Sequence, residues 1–226
     1  MKKYDWVLFD LDETLIRFDA QGALCALFKR FDIVFTEQHY LEYEKKNRLL
    51  WSAYQNGEIT IDKLQHERFA ALGDQLNVRP LDLNAAFLAE VTHISTPVDG
   101  AESLLNTLKG KSKLGVISNG FGNMQRVRIE KLGFQDHFHF VITSEQVGVA
   151  KPDPKIFLHA FETMKHPPRD KILMVGDALD ADILGGINAG IDTCWLNPHK
   201  KPTTENIAPH FEVASLQELQ ELLHDK

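Results

Sequence analysis

The sequence predicts an α/β fold: a Rossmann-like, mostly parallel sheet covered by helices on both faces, with an all-helical insert between the first strand and the rest. Three observations predict it. Short apolar runs of strand character alternate with helical patterns, as in sheets whose strands are joined by helical crossovers. From about Ala20 to Ser95 that rhythm stops and only helical patterns remain. Polar residues stand just beyond the apolar runs, beginning with VLFDLDETLI at Val7–Ile16, where a run built for burial ends in Asp10 and Asp12.

The predicted strands are Trp6–Phe9, Leu114–Ser118, Phe138–Thr143, Ile172–Val175 and Thr193–Leu196, with His210–Val213 a weaker candidate. Helical spacing marks Ala101–Leu108 after Pro97 and Gly100, and Asn123–Leu132 before a capping Gly133. Pro154–Met164 places Ile156, Phe157, Ala160, Phe161 and Met164 on one face, with proline at its start. Asp182–Ala189 ends at Gly190, and Ser215 can cap the amphipathic tail SLQELQELL. The insert reads as ALCALFKRF, EQHYLEYEKKNRLLWSAYQ, TIDKLQHERFAALGDQL and LDLNAAFLAEVTHI, separated by turn signals at Asn56-Gly57, Asn77 and Arg79-Pro80. The expected domains are a core of 1–16 with 97–226 and a helical domain of 17–96.

Composition narrows the function. The 226 residues are 43% hydrophobic and 25% charged, the balance of a globular protein with material for a sizeable core. Net charge is −7 without a long run of Lys or Arg, which disfavours a nucleic-acid polymer or an anionic membrane as partner but not a small anion in a locally cationic pocket. Cys25 and Cys194 lack metal-ligand spacing and read as small core hydrophobes in a reducing compartment. No stretch suits a signal peptide or a membrane span, so a cytoplasmic monomer or dimer is expected.

In open parallel sheets, ligands bind beyond the carboxyl ends of the strands. Four such ends carry chemistry here. Asp10 can attack an electrophile, and Asp12 can reach the same centre as general acid and then general base. Ser118 and Asn119, with backbone N–H groups near a helix start, suit phosphate oxygens. Lys151 in GVAKPDP can neutralise a nucleophile and a transferring phosphoryl group. MVGDALDADI supplies Asp177, Asp180 and Asp182, which with Asp10 form an oxygen-rich site suited to Mg²⁺.

DLDET, the strand-end Ser118, Lys151 with its following proline, and GDALDAD resemble the four motifs of the haloacid dehalogenase superfamily, in order and over the whole chain. The helical insert resembles that superfamily's C1-type cap. The resemblance implies that Asp10 forms an aspartyl-phosphate, Asp12 serves as acid and base, Ser118 holds phosphate and Lys151 stabilises charge. It implies a Mg²⁺ site from Asp10, the main-chain carbonyl of Asp12, Asp177 and Asp182, the last directly or through water. Asp180 matches no essential position and reads as a surface acid.

Asp12 chooses the branch. The dehalogenases of the superfamily lack an acid there, whereas a phosphatase needs one to protonate an alkoxide. A mutase also keeps it, and a phosphonatase would need a Schiff-base lysine that nothing obvious supplies, although Lys29 is in the insert. At finer grain, LLWSAYQNGEIT, LQHERFAALGDQLNV, SNGF, SEQVGVAKPDPKIF and MVGDALDADILGGINAGIDTCWLN look like the bacterial pyrimidine 5′-nucleotidases, which implies UMP, dUMP and dTMP as substrates. A phosphoglycolate or sugar-phosphate phosphatase is the alternative. A non-catalytic switch or binding protein is the reading from another class; a receiver-type switch would not carry the acid pair on its first strand before a helical insert.

Other residues have two readings each. Trp51, Tyr54, Gln55 and Asn56 could contact a base, or form cap core and a turn. Arg17 and Phe18 could line the entrance, or form a hinge. Phe121 could touch substrate or pack. Glu145 could orient Lys151, or hold its own loop. His66, His93, His137 and His139 read as surface or satisfied polar residues rather than zinc ligands.

Overall fold

The computed structural model describes residues 4–204 and 206–224; residues 1–3 and 225–226, the ends of the predicted core, and Glu205 lie outside them. The chain divides into two compact units, Met1–Arg17 with Thr96–Lys226, and Phe18–Ser95.

The first unit is built on six parallel strands: β1 (Trp6–Phe9), β2 (Lys113–Ser118), β3 (Phe138–Thr143), β4 (Ile172–Gly176), β5 (Asp192–Leu196) and β6 (Phe211–Val213), in the order β3-β2-β1-β4-β5-β6. Side chains alternate across a strand, so WVLF in β1 feeds two cores at once. Val7 and Phe9 belong to one apolar cluster with Leu114, Val116, Leu173 and Val175. Trp6 and Leu8 belong to the other, with Ile117, Ile172 and Met174. A strand buried on both faces has no polar position to spare, which is why it reads as an uninterrupted apolar run.

The helices of this unit close those two faces. After the four helices of the second unit, described below, come α5 (Ala101–Leu108), α6 (Gly122–Lys131), the one-turn α7 (Ser144–Val147), α8 (Pro154–Thr163), α9 (Leu184–Asn188) and α10 (Leu216–His224). Leu104, Leu105 and Leu108 of α5 and Leu216 and Leu219 of α10 join the first cluster. Ile156, Phe157, Ala160 and Phe161 of α8 join the second. Helix α8 starts where the sequence says it should: Asp153 accepts the Lys155 N–H at 2.9 Å and Pro154 occupies the first turn. Phe157 is fully buried, so Phe157→Ala should cost about 3–5 kcal/mol in chemical denaturation.

One element differs from expectation. Asp182–Ala189 is not a single α-helix: a π-helical turn, Leu179–Ile183, precedes α9. The wider turn brings the carboxylate of Asp182 back to the Ala178 N–H at 3.0 Å and turns it inward, where it is 1% exposed.

The second unit contains α1 (Ala20–Lys29), α2 (Glu37–Gln55), α3 (Ile61–Leu76) and α4 (Pro80–Ile94). Each start has a local cause. Asp19 accepts the Gly22 N–H, Thr36 forms a reciprocal box with His39, Thr60 accepts the Lys63 N–H, and Pro80 opens α4. Asn77 ends α3 in the left-handed conformation, at φ 54°. Tyr43, Phe69 and Phe87 pack with ring centroids 5.5–5.8 Å apart, and buried Arg68 donates to Asn84 and Asn47 beside them. Among the described residues no helix is long and apolar enough to cross a membrane.

Candidate active site

The chain runs outward from β1 to β2 and β3, then returns to lay β4 on the other side of β1. This reversal opens a crevice at the carboxyl ends of β1 and β4. Asp10 follows β1 there, and Asp177 follows β4. Asp10 continues the strand by donating its N–H to the Val175 carbonyl at 2.9 Å, which holds its side chain at the crevice.

Lys151 organises the acids. Its ammonium lies 2.6 Å from Asp10 Oδ1, 2.7 Å from Asp182 Oδ1 and 2.6 Å from the Ile117 carbonyl. All three donors are thereby used, in a side chain 1% exposed. Burial works against the charge on Lys151, but Asp10 and Asp182 outweigh it and hold the ammonium above its ordinary range. Burial pushes Asp10 well above the usual carboxylate range, with Lys151 opposing and Asp182, Asp177 and Asp12 adding to the rise. Burial, then Asp182, push Asp177 up to about 7. Asp182 can come this close because residue 176 is glycine: a Cβ there would overlap the Asp182 carboxylate.

Two carboxylates thus bond one ammonium, and a third, Asp177, stands beside them. Oxygens of Asp10, Asp177 and Asp182 lie within 4.8 Å of one another, close enough to hold one ion. An all-oxygen, carboxylate-rich donor set fits a hard divalent cation. The carboxylate of Asp12 is not among these three and bonds elsewhere.

Asp12 has its own partners. Arg128 Nη1 donates to Oδ1, and Gln125 Nε2 donates to Oδ2 at 2.9 Å. Gln125 also donates to Ser118 Oγ at 3.0 Å, and its carbonyl accepts from Arg128 at 2.8 Å. The Asp12 side chain stays 31% exposed while that of Arg128 is fully buried.

Not every expected site residue faces this crevice as expected. Asn119 uses both ends of its amide on Lys151: Nδ2 donates to the Lys151 carbonyl at 2.9 Å, and Oδ1 accepts the Lys151 N–H at 2.7 Å. It positions the lysine, so its side chain is not offering an amide to phosphate. Glu145 makes no bond to Lys151; it accepts the Gly122 N–H at 2.8 Å, at the start of α6. Arg17 pairs at the surface with Asp99 at 3.2 Å, and Asp180 is exposed.

Over residues 4–190 the sequence matches the model of the haloacid dehalogenase-like hydrolase family. The chain belongs to this family. It is 48% identical over 221 residues to the pyrimidine 5′-nucleotidase YjjG of Escherichia coli, covering 98% of each chain. It is 32% identical to the pyrimidine 5′-nucleotidase PynA of Streptococcus pneumoniae, over 97% of this chain and 95% of that one. The crystal structure of the HAD-hydrolase YfnB of Bacillus subtilis bound to magnesium superposes with a TM-score of 0.88 at 32% identity, covering 99% of this chain and all of YfnB.

In this haloacid dehalogenase-like hydrolase, Gln125 and Arg128 are buried polar residues beside Asp12 that sequence reasoning missed. The available signal was weak: two polar side chains three apart on α6, just after SNG, share one helix face. The helical-unit candidates lie at the end of α2. Tyr54 is buried with its ring edge-on to Trp51 at 5.7 Å, Trp51 and Gln55 are half-buried, and Asn56 donates to Glu58 at 3.1 Å. Phe121 is buried, as its packing reading required.

Proposed function

We propose that this chain hydrolyses nucleoside 5′-monophosphates, with the pyrimidine nucleotides UMP, dUMP and dTMP preferred, by two-step phosphoryl transfer with Mg²⁺. The observation that carries the reaction type is Asp12: a partly open carboxylate, held by two donors, two residues from the buried Asp10. Its presence favours ester hydrolysis, because an alkoxide leaving group needs a proton. The nucleotide preference is supported by full-length similarity to two pyrimidine 5′-nucleotidases.

In the first step Asp10 attacks phosphorus and the ester oxygen leaves with a proton from Asp12. In the second, Asp12 takes a proton from water, which attacks the aspartyl-phosphate and frees phosphate and Asp10. Lys151 keeps one oxygen of Asp10 oriented and balances phosphoryl charge. Ser118 and backbone N–H groups of the turn between β2 and α6 receive the non-bridging oxygens. Mg²⁺ held by Asp10, Asp177 and Asp182 would supply further charge neutralisation.

The test is phosphate release from a matched panel of dUMP, UMP, dTMP, CMP, dAMP, dGMP, phosphoglycolate and sugar phosphates, with Asp10→Asn as blank. Release is expected to be fastest from the uracil and thymine nucleotides and to stop on chelation of Mg²⁺. Preference for phosphoglycolate or a sugar phosphate would overturn the substrate and keep the mechanism. Silence across the panel would return the chain to the switch or binding class.

A further inference from the structure

We propose that Gln125 and Arg128 are positioning residues of the phosphoryl-transfer site, Gln125 locking Asp12 to Ser118 and turning the Ser118 hydroxyl into a hydrogen-bond donor for phosphate. The proposal rests on the function proposed above and goes beyond it in naming what sets two of its groups.

The orientation of Gln125 follows from chemistry. Arg128 has only donors, so the Gln125 oxygen must face it, and does so at 2.8 Å. The amide nitrogen is therefore on the other side, where its two hydrogens reach Asp12 Oδ2 at 2.9 Å and Ser118 Oγ at 3.0 Å. With Ser118 Oγ accepting from Gln125, its own proton is left to point at an incoming ligand. Arg128 fixes the ensemble at a third point by donating from Nη2 to the Arg17 carbonyl at 3.1 Å.

Burial makes this arrangement stiff. Gln125 and Arg128 are both fully buried, so water does not compete for their bonds. Gly120 gives independent support. A Cβ at that position would lie 2.6 Å from Gln125 Nε2 and 3.1 Å from Ser118 Oγ, so the amide reaches the serine only because residue 120 has no side chain. The network spans the first two strand ends, one bearing the acid/base and the other the hydroxyl expected to hold phosphate.

Gln125→Glu tests this with little change of shape: an acceptor for Arg128 remains, but nothing is donated to Asp12 or Ser118. Ser118 should then spend its proton on the new carboxylate. Orthophosphate affinity, measured by calorimetry with Mg²⁺, should fall about tenfold, and kcat/KM for UMP about 100-fold. Gln125→Met, which fills the same space without polar atoms, should lower phosphate affinity likewise. In a Ser118→Ala background neither substitution should weaken phosphate binding further, because the effect passes through that hydroxyl. Arg126→Gln, an exposed neighbour on α6, should change nothing.

Phosphate affinity within about twofold of wild type in both Gln125 variants would overturn the proposal. So would losses that simply add to that of Ser118→Ala, the signature of a structural role. If the wild-type chain bound phosphate but turned over no monoester, the proposed function would fall while the affinity cycle still decided this one. A wild type without phosphate affinity would sink both.

Discussion

Asp10→Asn is expected to lower kcat by about 10⁴-fold or more, with the chain still folded. The amide fills the same volume and can still accept from Lys151, whose contacts to Asp182 and the Ile117 carbonyl are untouched. What disappears is the nucleophile, since an amide oxygen is a poor attacking group and cannot form the acyl phosphate that Asp12 later resolves. Phosphate release under saturating UMP and Mg²⁺, with thermal melting as the control for folding, checks this. Activity within about tenfold of wild type would mean that another group attacks phosphorus.

Lys151→Met should do damage of two kinds. Activity should fall about 10³-fold, because the fixed cation beside nucleophile and phosphoryl oxygens is gone. Stability should also fall by about 3–5 kcal/mol at neutral pH, because Asp10 and Asp182 remain buried without their ammonium. The pH dependence has a definite sign. Burial already raises the Asp10 pKa and Lys151 opposes that rise, so its removal drives the folded value higher still. An acid whose folded pKa lies above its unfolded value is favourable to folding at low pH, and that advantage is lost as pH rises through the folded value. The melting deficit of Lys151→Met should therefore be larger at pH 8 than at pH 5.5, and Mg²⁺ should recover part of it. A deficit equal at both pH values, or larger in acid, would contradict the proposed charge balance around Asp10.

The fold was legible where periodicity is strong. Each predicted strand is present to within about a residue or two at its ends, because strands buried on both faces leave unbroken apolar runs. The helical pieces of the insert were legible from spacing and turn signals: Asn56, Asn77 and Pro80 sit at the boundaries they predicted. The strand-end acids were legible because charge at the end of a buried strand is anomalous. The π-helical turn before α9 was not, since it serves the contact of Asp182 with Lys151, a partner from a distant segment that no local pattern announces.

By itself, the sequence determined the alternation of strands and helices, the interruption after the first strand, and the set of polar side chains at four strand ends. These depend on local spacing and on the cost of burying charge. The tertiary structure alone decided which donor meets which acceptor. Lys151 meets Asp10 across 141 residues, and Arg128 meets Asp12 across 116. Asn119 was thereby given to Lys151 rather than to a ligand. Helix α6, polar along most of its length, hid the burial of Gln125 and Arg128. The charge of buried Arg128 is met by Asp12, an acid from a distant strand end which hydropathy along α6 does not register.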